Sequence, residues 1–216
     1  MKHFYLIVDT ETTTKQTVAD FGAVIVDRQG QIIDQFGAMV LGHFGKLPLF
    51  SDPSAADSEI WSEQSAKRRE KDYYAMLDSG ERSISSVGLI NQWLAATNAR
   101  YSPVLTAYNI SFDLGKCRNT RINLGIFNQK FCLMKAAKRD IGVLADYQQF
   151  CYDNKLLTAK LKRPQMTADS MAKYISGADL ADEPHTALED ARDYEALILA
   201  YILKTKTRKQ LMELGQ

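Results

Sequence analysis

The order of hydrophobic and polar residues at the start of the chain predicts three consecutive strands. Residues 3–8 form an apolar run with the length and composition of a buried strand. A second run covers 20–27, and turn residues at 27–30 separate it from a third run at 31–41. Strands joined by so short a turn pair antiparallel. The pattern therefore predicts a three-stranded antiparallel meander that opens an α/β chain.

The rest of the chain alternates between helical and extended patterns. The predicted elements are a loop at 42–56, a charged helix at 57–79, a helix at 85–97, a strand at 103–108, a helix entered through 109–112 and ending near 123, an extended segment at 131–134, broken helices with a basic loop at 135–166, a short helix at 168–175 and a closing helix at 186–204. A length of 216 residues suits one α/β domain and two only with difficulty. We therefore expect a single domain over 1–216, with a helical insert at about 42–100.

Composition narrows the class of protein. The chain is 45% hydrophobic and 25% charged, as is usual for a soluble globular protein, and its net charge is +1. This charge argues against a module that holds nucleic acid by bulk electrostatics alone, although acidic metal ligands would offset basic residues in the total. The sequence has no apolar run close to the ~20 residues of a membrane span and no signal-peptide pattern at its N-terminus. We expect a cytoplasmic protein without membrane contact.

The cysteines agree with a reducing compartment. Cys117, Cys132 and Cys151 are widely spaced and lack the pairing of a metal site. Each lies among apolar or mixed residues, so we expect three buried free thiols.

Two carboxylates follow the first apolar run. Asp9 and Glu11 are two positions apart, and because strand side chains alternate between faces, they should point the same way. Like charges at a buried strand end repel, and desolvation adds several kcal/mol unless a cation compensates. A divalent ion such as Mg²⁺ or Mn²⁺ is the natural compensator. The alternative is an ordinary strand exit with two solvated acids.

The pattern of the closing helix independently indicates a further acid that faces the body of the protein. At 100° per residue, its apolar residues form one narrow stripe made of Ala187, Ala191, Tyr194, Ile198 and Tyr201. Asp190 lies at the edge of this stripe and should face the body of the protein. Glu189 should point into solvent. We therefore predict that Asp190 needs a partner and that Glu189 does not.

Three acidic motifs occur in order along the chain. They are Asp9-Thr10-Glu11-Thr12, Asn109-Ile110-Ser111-Phe112-Asp113, and His185 with four residues before Asp190. Together they resemble the motifs of the DEDDh family of 3′–5′ exonucleases, and the resemblance covers roughly residues 4–41 and 103–203. It implies an α/β fold of the RNase H-like type: a mixed sheet with a three-strand antiparallel meander, flanked by helices.

The resemblance also implies the chemistry of the site. The acids that would bind two divalent ions, Mg²⁺ or Mn²⁺, are Asp9, Glu11, Asp113 and Asp190. His185 would take a proton from the attacking water. The residues that would contact the terminal nucleotide are Thr10, Thr12, Asn109 and Phe112. The implied activity is hydrolysis of phosphodiester bonds at the 3′ end of DNA or RNA, expected to be single-stranded, with release of nucleoside 5′-monophosphates.

Two of these residues have structural alternatives. Asp113 follows Phe112 at a predicted helix start, where Asp is a preferred N-cap residue. Phe112 is as well suited to core packing as to contact with a nucleotide.

The segment 42–100 departs from the pattern of the family, so substrate choice is less constrained than the chemistry. The helix at 57–79 would cover the sheet as a solvated amphipathic helix, guide a nucleic-acid strand or dock a protein partner. The basic positions in 155–163 are either solvated or in contact with phosphates. Two other functions stay open: a catalytically inactive nuclease-fold protein that binds nucleic acid or regulates, and a phosphodiesterase acting on very short oligonucleotides.

Overall fold

A mixed six-stranded sheet organises the part of the chain that the computed structural model describes, residues 3–55 and 61–216. The strands are β1 (Phe4–Thr12), β2 (Val18–Asp27), β3 (Ile32–Val40), β4 (Ser83–Ser85), β5 (Val104–Ala107) and β6 (Lys130–Cys132), in the order β4-β3-β2-β1-β5-β6. The first three strands form an antiparallel meander, and β4, β5 and β6 each pair parallel with their neighbours. The predicted RNase H-like mixed sheet is confirmed.

Helices cover both faces of this sheet. They are α1 (Glu63–Ser79), α2 (Val87–Tyr101), α3 (Ile110–Thr120), α4 (Leu133–Asp140), α5 (Ala145–Asp153), α6 (Ala168–Ser176), α7 (Ala187–Glu189), α8 (Ala196–Thr205) and α9 (Arg208–Leu214). A π-helical segment, Asp190–Glu195, joins α7 to α8, and the three together are the closing helix. Among the described residues, no helix is both long enough and apolar enough to cross a membrane.

Strand β1 is apolar from Phe4 to Val8 because both of its faces are buried there. Tyr5 and Ile7 pack with the face that α4, α5, α6, α8 and α9 cover. Leu6 and Val8 pack with the opposite face, under α2 and α3. The three cysteines are buried and free, as predicted.

Several predicted boundaries change. Strand β1 continues through Thr12, so the first motif lies inside the strand rather than after it. Strand β4 and helix α9 were not predicted. The helix predicted at 57–79 begins at Glu63, and the Ser62 side chain, as N-cap, accepts a hydrogen bond from the Ser65 amide. Residues 57–60 of that prediction lie outside the described residues. The assignment of 1–216 to one domain with an insert at 42–100 stays a prediction.

A buried polar group fixes the start of the closing helix against the sheet. Asp20 of β2 accepts a 2.9 Å hydrogen bond from the Ala187 amide. Gly22 permits this approach, because a Cβ there would lie 2.2 Å from the Ala187 carbonyl carbon. Buried Arg82 lies 3.6 Å from Asp20 and also pairs with Glu189. The prediction that Glu189 points into solvent is therefore wrong: the closing helix lies so near the sheet that Glu189 meets a buried arginine.

Candidate active site

The residues of the three motifs meet in one cleft of about 1280 Å³. The predicted site residues that line it are Asp9, Thr10, Glu11, Thr12, Asn109, Phe112, Asp113, His185 and Asp190. Three separate parts of the sequence supply them: β1, the start of α3, and the start of the closing helix. Parallel pairing of β1 with β5 brings the first two parts together, since α3 directly follows β5.

Asp113 lies in the first turn of α3 and is 3% exposed. The N-cap position belongs to Asn109, whose side chain makes no capping hydrogen bond, so the N-cap alternative for Asp113 is wrong. The Thr10 hydroxyl donates a 2.9 Å hydrogen bond to Asp113 Oδ1. This bond joins the first two motifs and fixes the orientation of the carboxylate.

Asp190 is also 3% exposed, so the prediction that it faces the body of the protein is confirmed. Its Oδ1 has no hydrogen-bond partner among the described residues. A buried carboxylate oxygen in this state is costly unless a cation or a donor reaches it.

His185 lies against the same acids. One of its ring nitrogens and carboxylate oxygens of Glu11 and Asp190 lie within 4.8 Å of one another, a spacing that suits a shared metal ion. The imidazole contacts Trp61, with ring centroids 5.8 Å apart, and its backbone has a φ of 58°. The Tyr73 hydroxyl donates a 3.3 Å hydrogen bond to the His185 carbonyl, so the lead-in to the closing helix is anchored on α1. Burial lowers the pKa of His185, and the Arg69 guanidinium lowers it further, so the neutral ring is favoured.

Burial disfavours the charged forms of the acids in the cleft, so their pKa values are raised. Burial raises the pKa of Glu11 to about 8 and that of Asp113 to about 7. Burial also raises the pKa values of Asp9 and Asp190 well above their usual range, and neighbouring carboxylates add to both effects. All the predicted metal-binding side chains offer hard oxygen atoms, the ligands that Mg²⁺ and Mn²⁺ prefer. These residues, with the unpartnered Asp190 oxygen, fit a divalent metal centre.

Two further acids, which the motifs do not predict, line the cleft. Glu195, at the end of the π-helical segment, is 2% exposed and lines the cleft. Glu183 also lines it, and burial raises its pKa to about 7. No motif marks Glu195, and a helical wheel at 100° per residue puts it away from Asp190.

Helix α1 forms one wall of the cleft. Arg68 and Arg69 of this helix line the cleft, as does Trp61 just before it, so the helix does more than cover the sheet. Arg69 is buried and donates a 3.2 Å hydrogen bond to the Phe50 carbonyl. The basic positions Lys155, Lys160, Lys162 and Arg163 are exposed, and their contact with phosphates stays a prediction.

Phe112 is 41% exposed at the edge of the cleft, so its alternative as a core residue is wrong. The Lys116 ammonium lies 4.3 Å from the centroid of its ring. An exposed aromatic ring beside a cation is a surface on which a nucleobase can stack.

Comparisons with known proteins identify the fold. No family model matches the sequence, and no curated protein matches it. Among solved structures, E. coli Exonuclease I in complex with a 5cy-dT13 oligonucleotide is similar over 99% of this chain and 42% of its own, with 15% identity and a TM-score of 0.54. Exonuclease I in complex with the inhibitor BCBP matches over 99% of this chain and 43% of its own, with 14% identity and a TM-score of 0.54.

Exonuclease X in complex with 5′ overhanging duplex DNA matches over 98% of this chain and 99% of its own, with 18% identity and a TM-score of 0.43. The chain thus spans less than half of Exonuclease I and nearly all of Exonuclease X. The structural neighbours of this chain are exonucleases, and the chain has their RNase H-like fold, as its three acidic motifs predicted.

Proposed function

We propose that this protein is a metal-dependent 3′–5′ exonuclease. The observation that supports this most strongly is that Asp9, Glu11, Asp113, Asp190 and His185 come from three distant parts of the sequence and line one cleft. Burial raises the pKa values of all four acids, and neighbouring carboxylates raise those of Asp9, Glu11 and Asp190 further, which is costly in a purely structural role. None of the four positions has lost its carboxylate, as an inactive scaffold would be expected to have done.

The four carboxylates would hold two divalent ions, Mg²⁺ or Mn²⁺. When bound, such ions supply an activated water and stabilise the negative charge that develops on the leaving oxygen. Thr10 keeps Asp113 oriented through its 2.9 Å hydrogen bond. Asp20, through the Ala187 amide, holds the start of the closing helix, which carries Asp190, against the sheet.

His185 would accept the proton of the attacking water at a ring nitrogen. Its lowered pKa keeps the ring neutral at physiological pH, which is the state that a general base requires. The Tyr73 hydroxyl and the Trp61 ring fix where the imidazole lies.

The terminal nucleotide would lie along β1 and the start of α3, near Thr10, Thr12 and Asn109. Phe112 would offer its exposed face to a base. The Thr12 carbonyl already accepts a 2.7 Å hydrogen bond from the Phe50 amide, so the strand is held rigid where the nucleotide would rest.

The polarity of digestion tests this function. A single strand labelled at its 5′ end should give a ladder that shortens from the 3′ side and should release nucleoside 5′-monophosphates, because only a free 3′ end can be held beside the metals. Matched DNA and RNA strands, each with Mg²⁺, Mn²⁺ or EDTA, should show which sugar is preferred and that chelation stops the reaction. Duplex ends should react more slowly, since unstacking a terminal pair costs a few kcal/mol.

A circular single strand is the control, and it should survive. Rapid cutting of the circle would show an endonuclease. Cleavage confined to dinucleotides and other very short strands would favour the short-oligonucleotide phosphodiesterase. Binding of a strand without any cleavage would favour the inactive binding protein.

The metal-free protein should lose stability as the pH rises. The carboxyl groups of Glu11 and Asp113 have pKa values of about 8 and about 7 in the folded protein, above the ~4 of an unfolded chain. Between about pH 4 and pH 8 the folded state therefore binds more protons than the unfolded state, and the free energy of unfolding falls with pH. Metal binding needs the deprotonated acids, so the gain in Tm on adding Mg²⁺ should grow over the same interval.

Thermal unfolding across this pH interval, with Mg²⁺ and with EDTA, measures both trends. A metal-induced gain in Tm that does not depend on pH would mean that these acids are not the ligands.

A further inference from the structure

Glu195 is a buried acid to which neither the sequence motifs nor the proposed mechanism gives a role. It is 2% exposed, yet it lines the cleft together with Asp9, Asp113 and Asp190. Acids this deeply buried are rare unless they are paired with a cation or a metal.

The π-helical segment accounts for the position of Glu195. In an α-helix, residues five apart differ by 140° around the axis, so Asp190 and Glu195 would face different ways. Between Asp190 and Glu195 the helix is instead π-helical, in which hydrogen bonds join residues i and i+5 and residues five apart lie one turn apart. The two carboxylates therefore share a face. Such π-helical turns are rare and often occur at functional sites.

One oxygen of Glu195 has a structural contact. Its Oε2 accepts a 3.1 Å hydrogen bond from the Tyr108 amide, immediately after β5. Tyr108 precedes Asn109, the N-cap of the helix that carries Asp113. A carboxylate has about four lone-pair sites, and this bond uses one of them. The contact orients Glu195 and leaves it capacity to accept more.

The charges that act most strongly on Glu195 are those of other acids. After burial, the charge of Asp113 is the largest cause that raises the pKa of Glu195, and Glu195 in turn raises the pKa of Asp9. Asp190 lines the same cleft, and its buried Oδ1, which has no described hydrogen-bond partner, separately favours a cation as ligand. Glu195 is not among the three residues, Glu11, His185 and Asp190, whose ligand atoms lie within 4.8 Å of one another. Its charge acts instead on Asp9 and Asp113, which line the same cleft.

We propose that Glu195 supplies a fifth carboxylate to the metal centre, beside Asp9 and Asp113, and so raises the affinity of the centre for divalent ions. This inference rests on the proposed function. Its competitor is a structural role, in which Glu195 only satisfies the Tyr108 amide. The two roles differ in whether the negative charge matters.

Glu195→Gln separates them, because an amide oxygen can still accept the Tyr108 hydrogen bond while the charge is lost. Calorimetric titration with Mn²⁺ should show binding that is about 10–100-fold weaker than in the unchanged protein, the usual effect of losing a group that supports a metal site. Thermal unfolding of the metal-free variant should stay level or shift upward, since one of several like charges is gone. Asp193→Asn is the matched control: it removes an exposed acid from the same helical segment and should leave Mn²⁺ affinity unchanged.

Unchanged Mn²⁺ affinity in Glu195→Gln would overturn the proposal. So would a fall in the Tm of the metal-free variant or a failure to fold, because either would show that the charge serves the metal-free fold. If Asp190→Asn loses Mn²⁺ binding while Glu195→Gln keeps it, the proposed function stands and this inference fails. If the unchanged protein does not bind Mn²⁺ at all, the proposed metal-dependent function itself fails.

Discussion

Asp190→Asn is expected to abolish cleavage while leaving the fold intact. Asparagine keeps the shape of the side chain but removes the charge that would hold a metal ion. Metal ions contribute several kcal/mol to transition-state stabilisation in such sites, so a loss of about 4 kcal/mol would lower the rate about 1000-fold. The metal-free variant should unfold at the same temperature or higher, because Asp190 is buried among other acids and its Oδ1 has no described partner. Single-turnover digestion and thermal unfolding measure the two effects.

Asp193→Asn is the matched control for activity as well, because Asp193 is exposed and pairs with its neighbour Arg192. It should cleave at the normal rate. Glu189 is unsuitable as a control, since it pairs with buried Arg82 and its loss would leave that guanidinium without a partner. Near-normal cleavage by Asp190→Asn would remove Asp190 from the metal centre and would contradict the proposed mechanism.

The sequence was sufficient to predict the fold and the residues that line the candidate site. Strand β1 is predictable because its apolar run is short and rich in β-branched and aromatic residues, which favours a strand over a helix. The order β1-β2-β3 follows from short connections between β-type runs. Because the three acidic motifs resemble those of one family, they also predict the fold that brings these distant motifs together. All nine predicted residues line the cleft.

The closing helix shows where sequence reasoning failed. The wheel at 100° per residue placed Asp190 correctly because Asp190 lies only at the start of the π-helical segment. Beyond it the angle per residue is smaller, so Glu195 turns into the cleft, and no sequence rule signals that change. The prediction for Glu189 was wrong for a different reason. Its partner, Arg82, lies more than a hundred residues away, next to a short strand that has no strong pattern of its own.

The helix at 63–79 contributes to the candidate site. Its charged sequence predicted a solvated face, yet Arg69 is buried and Arg68 lines the cleft beside Trp61. Tyr73 of the same helix holds the His185 carbonyl. Helix α1 therefore helps to build the candidate site, because it supplies part of one wall of the cleft and anchors the backbone of His185.

His185→Ala is expected to lower turnover by at least about 100-fold, the lower end of general-base contributions. The ring lies within 4.8 Å of Glu11 and Asp190 oxygens, and its lowered pKa keeps it ready to accept a proton. Because the neutral form is the active one, activity that depends on it should persist below the ordinary histidine pKa of about 6.5 before it falls. Pre-steady-state rates measured across pH would show both the loss in the variant and the position of the acid limb.

The same variant also separates a base from a ligand, since the 4.8 Å grouping suits either role. If His185 is a base, its replacement should leave the Mn²⁺ affinity measured by calorimetric titration unchanged. Only the proton-transfer step should become slower. Lost Mn²⁺ binding would make it a metal ligand instead, and another group would have to take the proton. His43→Ala is the control, because His43 is also partly buried and hydrogen-bonded, through Nδ1 to the Thr17 hydroxyl at 3.0 Å, but lies outside the cleft residues. A rate loss in His43→Ala equal to that in His185→Ala would show that any lost histidine slows the enzyme and would leave the general-base assignment without support.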